Sequence, residues 1–253
     1  MRRRALGLTI AAGVAVFLLV LALYLPAAWV SGALPPDVRC RELGGSVWRG
    51  ECLGLRYGDN ALGDATWNFA AGSALTGRLV GDVDVRGSAL NVRADVDSSF
   101  RGTGELRNVR GNLTLDPAQL GQLPQDKRGT LTMNLGRLAV TDGAPSAIEG
   151  TLELRDFRQT GARPLELGSY QVTFDSVASP DAAANAPMIG KLRDLGGPFA
   201  VEGTITLAPP RNYIVQGLIT GRTAEAERLV REITLGATPD ASGRSAFSFE
   251  GSY

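Results

Sequence analysis

Two pairs of carboxylates, Asp82 with Asp84 and Asp95 with Asp97, are the groups in this sequence whose type and spacing first suggest chemistry. Acids two residues apart can share a cation, or divide general acid and base roles when their surroundings pull their pKa values apart. Here they lie in Gly81-Asp82-Val83-Asp84-Val85-Arg86-Gly87 and Asn91-Val92-Arg93-Ala94-Asp95-Val96-Asp97, where apolar and charged residues alternate. Period two puts the acids on the solvated face of a half-buried strand and the valines on the other. The plainer reading is a charged sheet exterior, and it is preferred to an acid/base pair or a cation site.

The remaining candidates are few. The chain contains no histidine, so a Ser-His-Asp or Cys-His set, an HExxH zinc site and an imidazole switch are all excluded. Gly102-x-Gly104 lacks the final glycine of a dinucleotide fingerprint, and there is no Walker loop, nucleophile elbow or Cys-x-x-Cys. Lys plus Arg and Asp plus Glu are balanced at 26 each, which argues against nucleic acid, whose affinity comes mostly from phosphate neutralisation. No catalytic residue, cofactor or metal site is assigned, and no small-molecule substrate is expected.

The elements that carry these residues begin with a strong asymmetry. Arg2, Arg3 and Arg4 precede an uncharged run from Ala5 to Val30. From Ala5 to Leu25 a helix of about 21 residues spans the ~30 Å hydrocarbon core. A cleaved signal peptide is the rival, but its apolar region is usually only about 7–15 residues. The arginines keep the N-terminus cytoplasmic by the positive-inside rule, and Tyr24 and Trp29 suit an aromatic belt at the far interface. The chain therefore divides into residues 1–33, tip and anchor, and residues 34–253, an exported β-rich domain. Taking the three arginines from the 26 basic groups leaves 23 against 26 acids, so this domain is mildly acidic. Abundant Arg with only Lys127 and Lys191 suggests a GC-rich bacterial genome, whose far compartment is the periplasm. There Cys40 and Cys52 favour a disulfide over a metal site lacking further ligands. A tight hairpin turning at Gly44-Gly45 would pair Cys40 with Arg49, so the bridge needs a bulge or a wider turn.

Beyond residue 33 the period stays near two. Gly111-Asn-Leu-Thr-Leu115, Gly129-Thr-Leu-Thr-Met133, Gly150-Thr-Leu-Glu-Leu154 and Gly203-Thr-Ile-Thr-Leu207 share one plan, in which Gly opens a strand and apolar and polar residues then alternate. Their irregular separations exclude a fixed-period solenoid and suit a meander. Prolines fall in the joints, and Ser179–Pro187 reads as an exposed loop. Helix is expected at Asp116–Leu123, for one or two turns, and at Thr223–Ile233, with Leu229, Val230 and Ile233 on one stripe. Such a helix packs on a sheet face more often than it binds a partner. The fold class is mainly β: an N-terminal transmembrane helix, then an elongated antiparallel sheet meander, strongly twisted or curled, with one or two short helices. Trp48 and Trp67 are read as structural, their rings packing over neighbouring glycines.

Gly44-Gly-Ser-Val-Trp-Arg-Gly50 resembles the G-T-x-W-x-G strand of the type II secretion system protein N family, also called general secretion pathway protein N. Leu62-Gly-Asp-Ala-Thr-Trp67, then Ser73-Ala-Leu-Thr-Gly-Arg-Leu79, is similar to that family's second tryptophan strand and its continuation. Leu195-Gly-Gly-Pro-Phe199, Tyr213-Ile-Val-Gln-Gly217, Leu235–Arg244 and Phe249-Glu-Gly-Ser252 are similar to its C-terminal pattern. Ser46-Val47 departs from the commoner Thr-Leu, and the cysteines are not carried over. The resemblance implies a non-enzymatic, single-pass inner-membrane component of the machine that exports folded proteins, contacting the outer-membrane secretin or the inner-membrane platform. A glycine-rich sheet with one exposed edge is compatible with partner binding by strand addition. The alternative is an envelope lipid-handling protein whose curled sheet holds acyl chains in an open apolar groove.

Overall fold

A computed structural model of the protein describes residues 13–14, 17, 20–21, 23–33, 35–99, 102–117, 126–141, 144–161, 164–175, 187–208, 212–234 and 238–252. Arg2–Arg4, most of the Ala5–Leu25 run, most of the Asp116–Leu123 helix and nearly all of the Ser179–Pro187 loop lie outside them.

Period-two alternation gives one antiparallel sheet of 14 strands. The strands are β1 (Val38–Arg39), β2 (Glu42–Gly45), β3 (Arg49–Tyr57), β4 (Asn60–Phe69), β5 (Arg78–Arg86), β6 (Leu90–Ser99) and β7 (Thr103–Leu115). There follow β8 (Lys127–Thr141), β9 (Ala144–Gln159), β10 (Leu165–Phe174), β11 (Met188–Gly196), β12 (Phe199–Ala208), β13 (Asn212–Gly221) and β14 (Ser245–Ser252). From β3 to β14 each strand pairs with the next, while β1 and β2 both pair with β3. Two 3₁₀ segments, Ala27–Ala33 and Ala71–Thr76, and an α-helix, α1 (Ala224–Ile233), flank the strands, and the described residues 13–14, 17, 20–21 and 23 are also helical.

Register makes the alternation into two faces. Trp67 opposes Val83, which opposes Ala94, and further along Leu106 opposes Leu138, which opposes Ile148. One face is therefore apolar from strand to strand, and the other carries the charges. Two clusters concentrate its burial. Ala94, Val109 and Leu135 are packed by Val92, Leu106, Leu138, Ile148 and Leu152. Phe199, Val201, Ala226 and Val230 are packed by Tyr170, Leu192, Ile219 and Phe247.

The sheet is not curled. Curling into a trough or barrel needs distant strands to approach, in the limit until the edges meet. Here β1 and β14 remain the two ends of the strand order. The main approaches beyond hydrogen-bonded neighbours, β9 to β11 and β10 to β12, join next-nearest strands only. Alternation selects the apolar face without dictating closure.

Other expectations are corrected in detail. The repeat glycines mostly lie within strands instead of opening them: Gly111 in β7, Gly150 in β9 and Gly203 in β12. At Gly150, φ is 127° and an added Cβ would lie 2.4 Å from the Asn134 carbonyl oxygen. Glycine is needed there for a left-handed backbone in close strand approach, beside a register shift between Leu135 and Arg137. α1 starts where expected, with Thr223 Oγ1 accepting from the Ala226 N–H at 3.1 Å, and with Glu225 and Glu227 in the first turn. Its buried residues are Ala226 and Val230 with Leu229 half-buried beside them, while Ile233 is 48% exposed at the helix end.

Candidate functional site

The carboxylates lie on the charged face, each engaged by a neighbour. Arg86 donates twice to Asp84, both at 2.9 Å; Asn108 Nδ2 donates to Asp95 at 2.8 Å; Arg78 pairs with Asp97. Asp82 faces Asp95 across the β5–β6 ladder, with Arg93 4.0 Å from Asp82. The Arg86 hydrogen bond holds the Asp84 carboxyl below its ordinary value against a small burial penalty. An acid/base pair needs one carboxyl raised while its neighbour stays ionised, and these contacts form an exposed ion-pair lattice. The lattice continues through Glu105 with Arg107 and Arg137, and through Glu153 with Arg155. Arg107 beside Glu105, and Arg155 beside Glu153, lower both carboxyls in the same way. Among the described residues no group of three or more Cys, Asp or Glu could hold a metal ion.

The N-terminal end is built around the β2–β3 turn. Gly45 opposes Gly50, so the chain reverses over Ser46-Val47-Trp48 and not at Gly44-Gly45. This wider turn, with Cys40 at the break between β1 and β2, leaves Cys40 and Cys52 with Cα atoms 5.5 Å apart and the sulfurs bonded. Trp48 sits in the turn itself, and its carbonyl accepts from the Phe69 N–H at 2.6 Å. Trp67, on β4, reaches over Gly50, where an added Cβ would lie 2.5 Å from its Cζ2, and its indole N–H donates to the Val47 carbonyl at 3.0 Å.

The same turn receives the chain from the apolar run. The Val47 N–H donates to the Leu25 carbonyl, Pro26 bridges to Ser46, and Ala27 is buried. Before that junction Val14, Phe17, Val20, Leu21, Leu23 and Tyr24 are all exposed, as is Trp29 after it. Among the described residues, which include only part of that run, no helix is long and apolar enough to cross a membrane.

The C-terminal end holds residues that sequence reasoning missed. Asp194 and Arg222 form an ion pair at 2.7 Å, and Arg222 also donates to the Gly197 and Phe199 carbonyls. Tyr170, half-buried beside them, has its phenol pushed up to about 12, first by burial and then by Asp194. No short-range spacing marks this set, because three hairpins supply it. The outer side of β14 has no paired strand among the described residues.

Among the described residues clefts lie around Arg78, Glu105 and Arg137, around Asp156, Glu166 and Gly196, and around Arg49, Glu51 and Trp67. These are lined largely by charged groups, polar groups and glycine.

Compared with known proteins, residues 36–248 match the family model described as type II secretion system (T2SS), protein N. No curated protein matches, and no solved structure does. The match spans most of the chain, which therefore belongs to the type II secretion system protein N family and has a role in type II secretion.

Proposed function

We propose, with that family membership as the premise, that the chain is a non-enzymatic accessory component of the secretion machine. It is anchored in the inner membrane by its N-terminal run and holds its β-domain in the periplasm against the secretin or the inner-membrane platform. The observation that carries this reading is the family match over residues 36–248. Two features support it. The described residues of the apolar run are exposed at positions pointing in several directions around a helix, as suits a segment whose solvent is lipid. Asp84, Asp97, Glu105 and Glu153 on the sheet are taken up in cross-strand and same-strand ion pairs.

The test is co-purification of the full chain from crosslinked membranes. Secretin or platform subunits in the eluate are the expected result. Recovery of lipid alone would replace this reading with envelope lipid handling.

A further inference from the structure

The two ends of the sheet differ in how they meet solvent. At the N-terminal end, β1 and β2 have only two and four residues, and the disulfide and the Ala27–Ala33 segment flank them. Short, covered edge strands are a common way to block unwanted pairing. At the other end, β14 runs for eight residues, Ser-Ala-Phe-Ser-Phe-Glu-Gly-Ser, with no proline, lysine or arginine. It pairs with β13 from Asn212↔Ser252 to Ile219↔Ser245 without a register shift. Among the described residues the one charge on this edge is Glu250, and neither a proline nor a bulge interrupts it.

This edge is also firmly backed. Phe247 packs into the cluster of Phe199, Val201, Ala226 and Val230, where α1 covers the sheet beside it. Phe249 lies against Phe247, ring centroids 5.7 Å apart, and stays 51% exposed on the apolar face. On the opposite face, Ile189 opposes Thr206, Thr206 opposes Ile214 and Ile214 opposes Glu250, a row that ends at the open edge. Ile189 and Ile214 are exposed, and Glu250 has no ion-pair partner among the described residues.

We propose that β14 is a docking edge for an extended segment of a secretion-machine partner in which apolar and basic residues alternate. The proposal rests on the secretion reading above. Strand addition takes affinity from backbone hydrogen bonds and specificity from alternate side chains. An apolar side chain of the incoming strand extends the Phe247–Phe249 face, and a lysine or arginine on its other face meets Glu250. A second copy of the chain fits less well. Antiparallel self-pairing centred on Ser248 would set Phe247 opposite Phe249, but would leave Glu250 opposite Ala246 with its charge unmet.

The probe is a synthetic heptapeptide of alternating valine and lysine added to the full chain in detergent, read by amide hydrogen exchange. Exchange at residues 245–252 should slow by about tenfold or more. Glu250→Lys, at an exposed position, should lose that protection and gain it from an alternating valine–glutamate peptide. Protection that is absent, falls elsewhere or ignores the charge swap would overturn the proposal. So would a chain that dimerises through β14 without peptide. In cells, secretin or platform subunits recovered with the wild type should be lost with Glu250→Lys. Equal recovery would overturn the docking edge and leave the secretion reading standing, whereas recovery with neither chain would defeat the secretion reading and this proposal with it.

Discussion

Asp194 and Arg222 meet at 2.7 Å across the join between the β11–β12 hairpin and the end of β13. Asp194 also accepts from the Gly196 and Val201 N–H groups at 3.1 and 3.3 Å, while the Arg222 N–H donates to the Pro198 carbonyl at 2.7 Å. One carboxylate and one guanidinium thus tie down the turn beside the Phe199–Val230 cluster.

The pH dependence follows. Burial pushes the Asp194 carboxyl up, but Arg222 and the two backbone N–H groups outweigh burial and hold it below its ordinary value. A depressed folded pKa contributes stability that is fully present above the unfolded value and is lost as pH falls through the folded one. Asp194→Asn should therefore cost about 1–3 kcal/mol at neutral pH. Its deficit against wild type should shrink as the pH drops below the usual carboxylate range. Thermal unfolding at pH 7 and at pH 3 checks this, and a deficit of equal size at both would contradict it.

The Cys40–Cys52 bond closes the β1–β3 end with a sequence separation of 12. Closing a loop of that order contributes roughly 3 kcal/mol in the chain-entropy account. Non-reducing mass spectrometry of membrane-extracted protein should find the two peptides joined, and reductant should lower the unfolding midpoint. Two free thiols after alkylation of intact cells would refute the pairing in the native protein.

The anchor reading makes a topological prediction. Alkaline phosphatase fused after Tyr253 should be active and sediment with membranes, because the enzyme folds only where disulfides persist. An inactive fusion at normal expression, or active enzyme in the soluble periplasm, would reject an uncleaved anchor with its domain across the membrane.

Strand alternation in Gly81–Gly87 and Asn91–Asp97 was legible because period two is local, and so was the helix at Thr223–Ile233, whose apolar stripe is equally local. The openness of the sheet was not, since closure depends on how far strands twist and bulge over the whole array. The β2–β3 turn was displaced from Gly44-Gly45 because Trp67 occupies the space over Gly50 and holds the Val47 carbonyl, a contact 20 residues away in sequence. Asp194 and Arg222 left no trace because Arg222 reaches Asp194 and the Gly197 and Phe199 carbonyls only once β13 has folded back onto β12. The β14 edge could have been noticed from a strand with no lysine and no proline at the sheet's end.

Trp67 and Trp48 give the last prediction, together with the carboxylates. Trp67 fills the space that Gly50 leaves open and donates its indole N–H to Val47, whose own N–H binds Leu25. Trp67→Ala should remove a half-buried ring and that hydrogen bond, costing about 3 kcal/mol or more and loosening the junction with the apolar run. Trp67→Phe keeps most of the apolar contact and forfeits the N–H, so it should cost only about 1 kcal/mol. Trp48→Ala should destabilise the same turn, and both alanine variants should lower steady-state level and protease resistance, with secretion falling in proportion. Asp82, Asp84, Asp95 and Asp97 should behave differently. Changed singly to Asn, each loses an exposed or half-exposed contact worth about 0.5 kcal/mol, and Asp82→Asn or Asp95→Asn also removes one of two facing like charges. Level and secretion should then stay near wild type. A carboxylate variant that accumulates normally yet abolishes secretion would expose a chemical role on this face. A fully stable but inactive Trp67→Ala would instead make the turn a partner-binding surface.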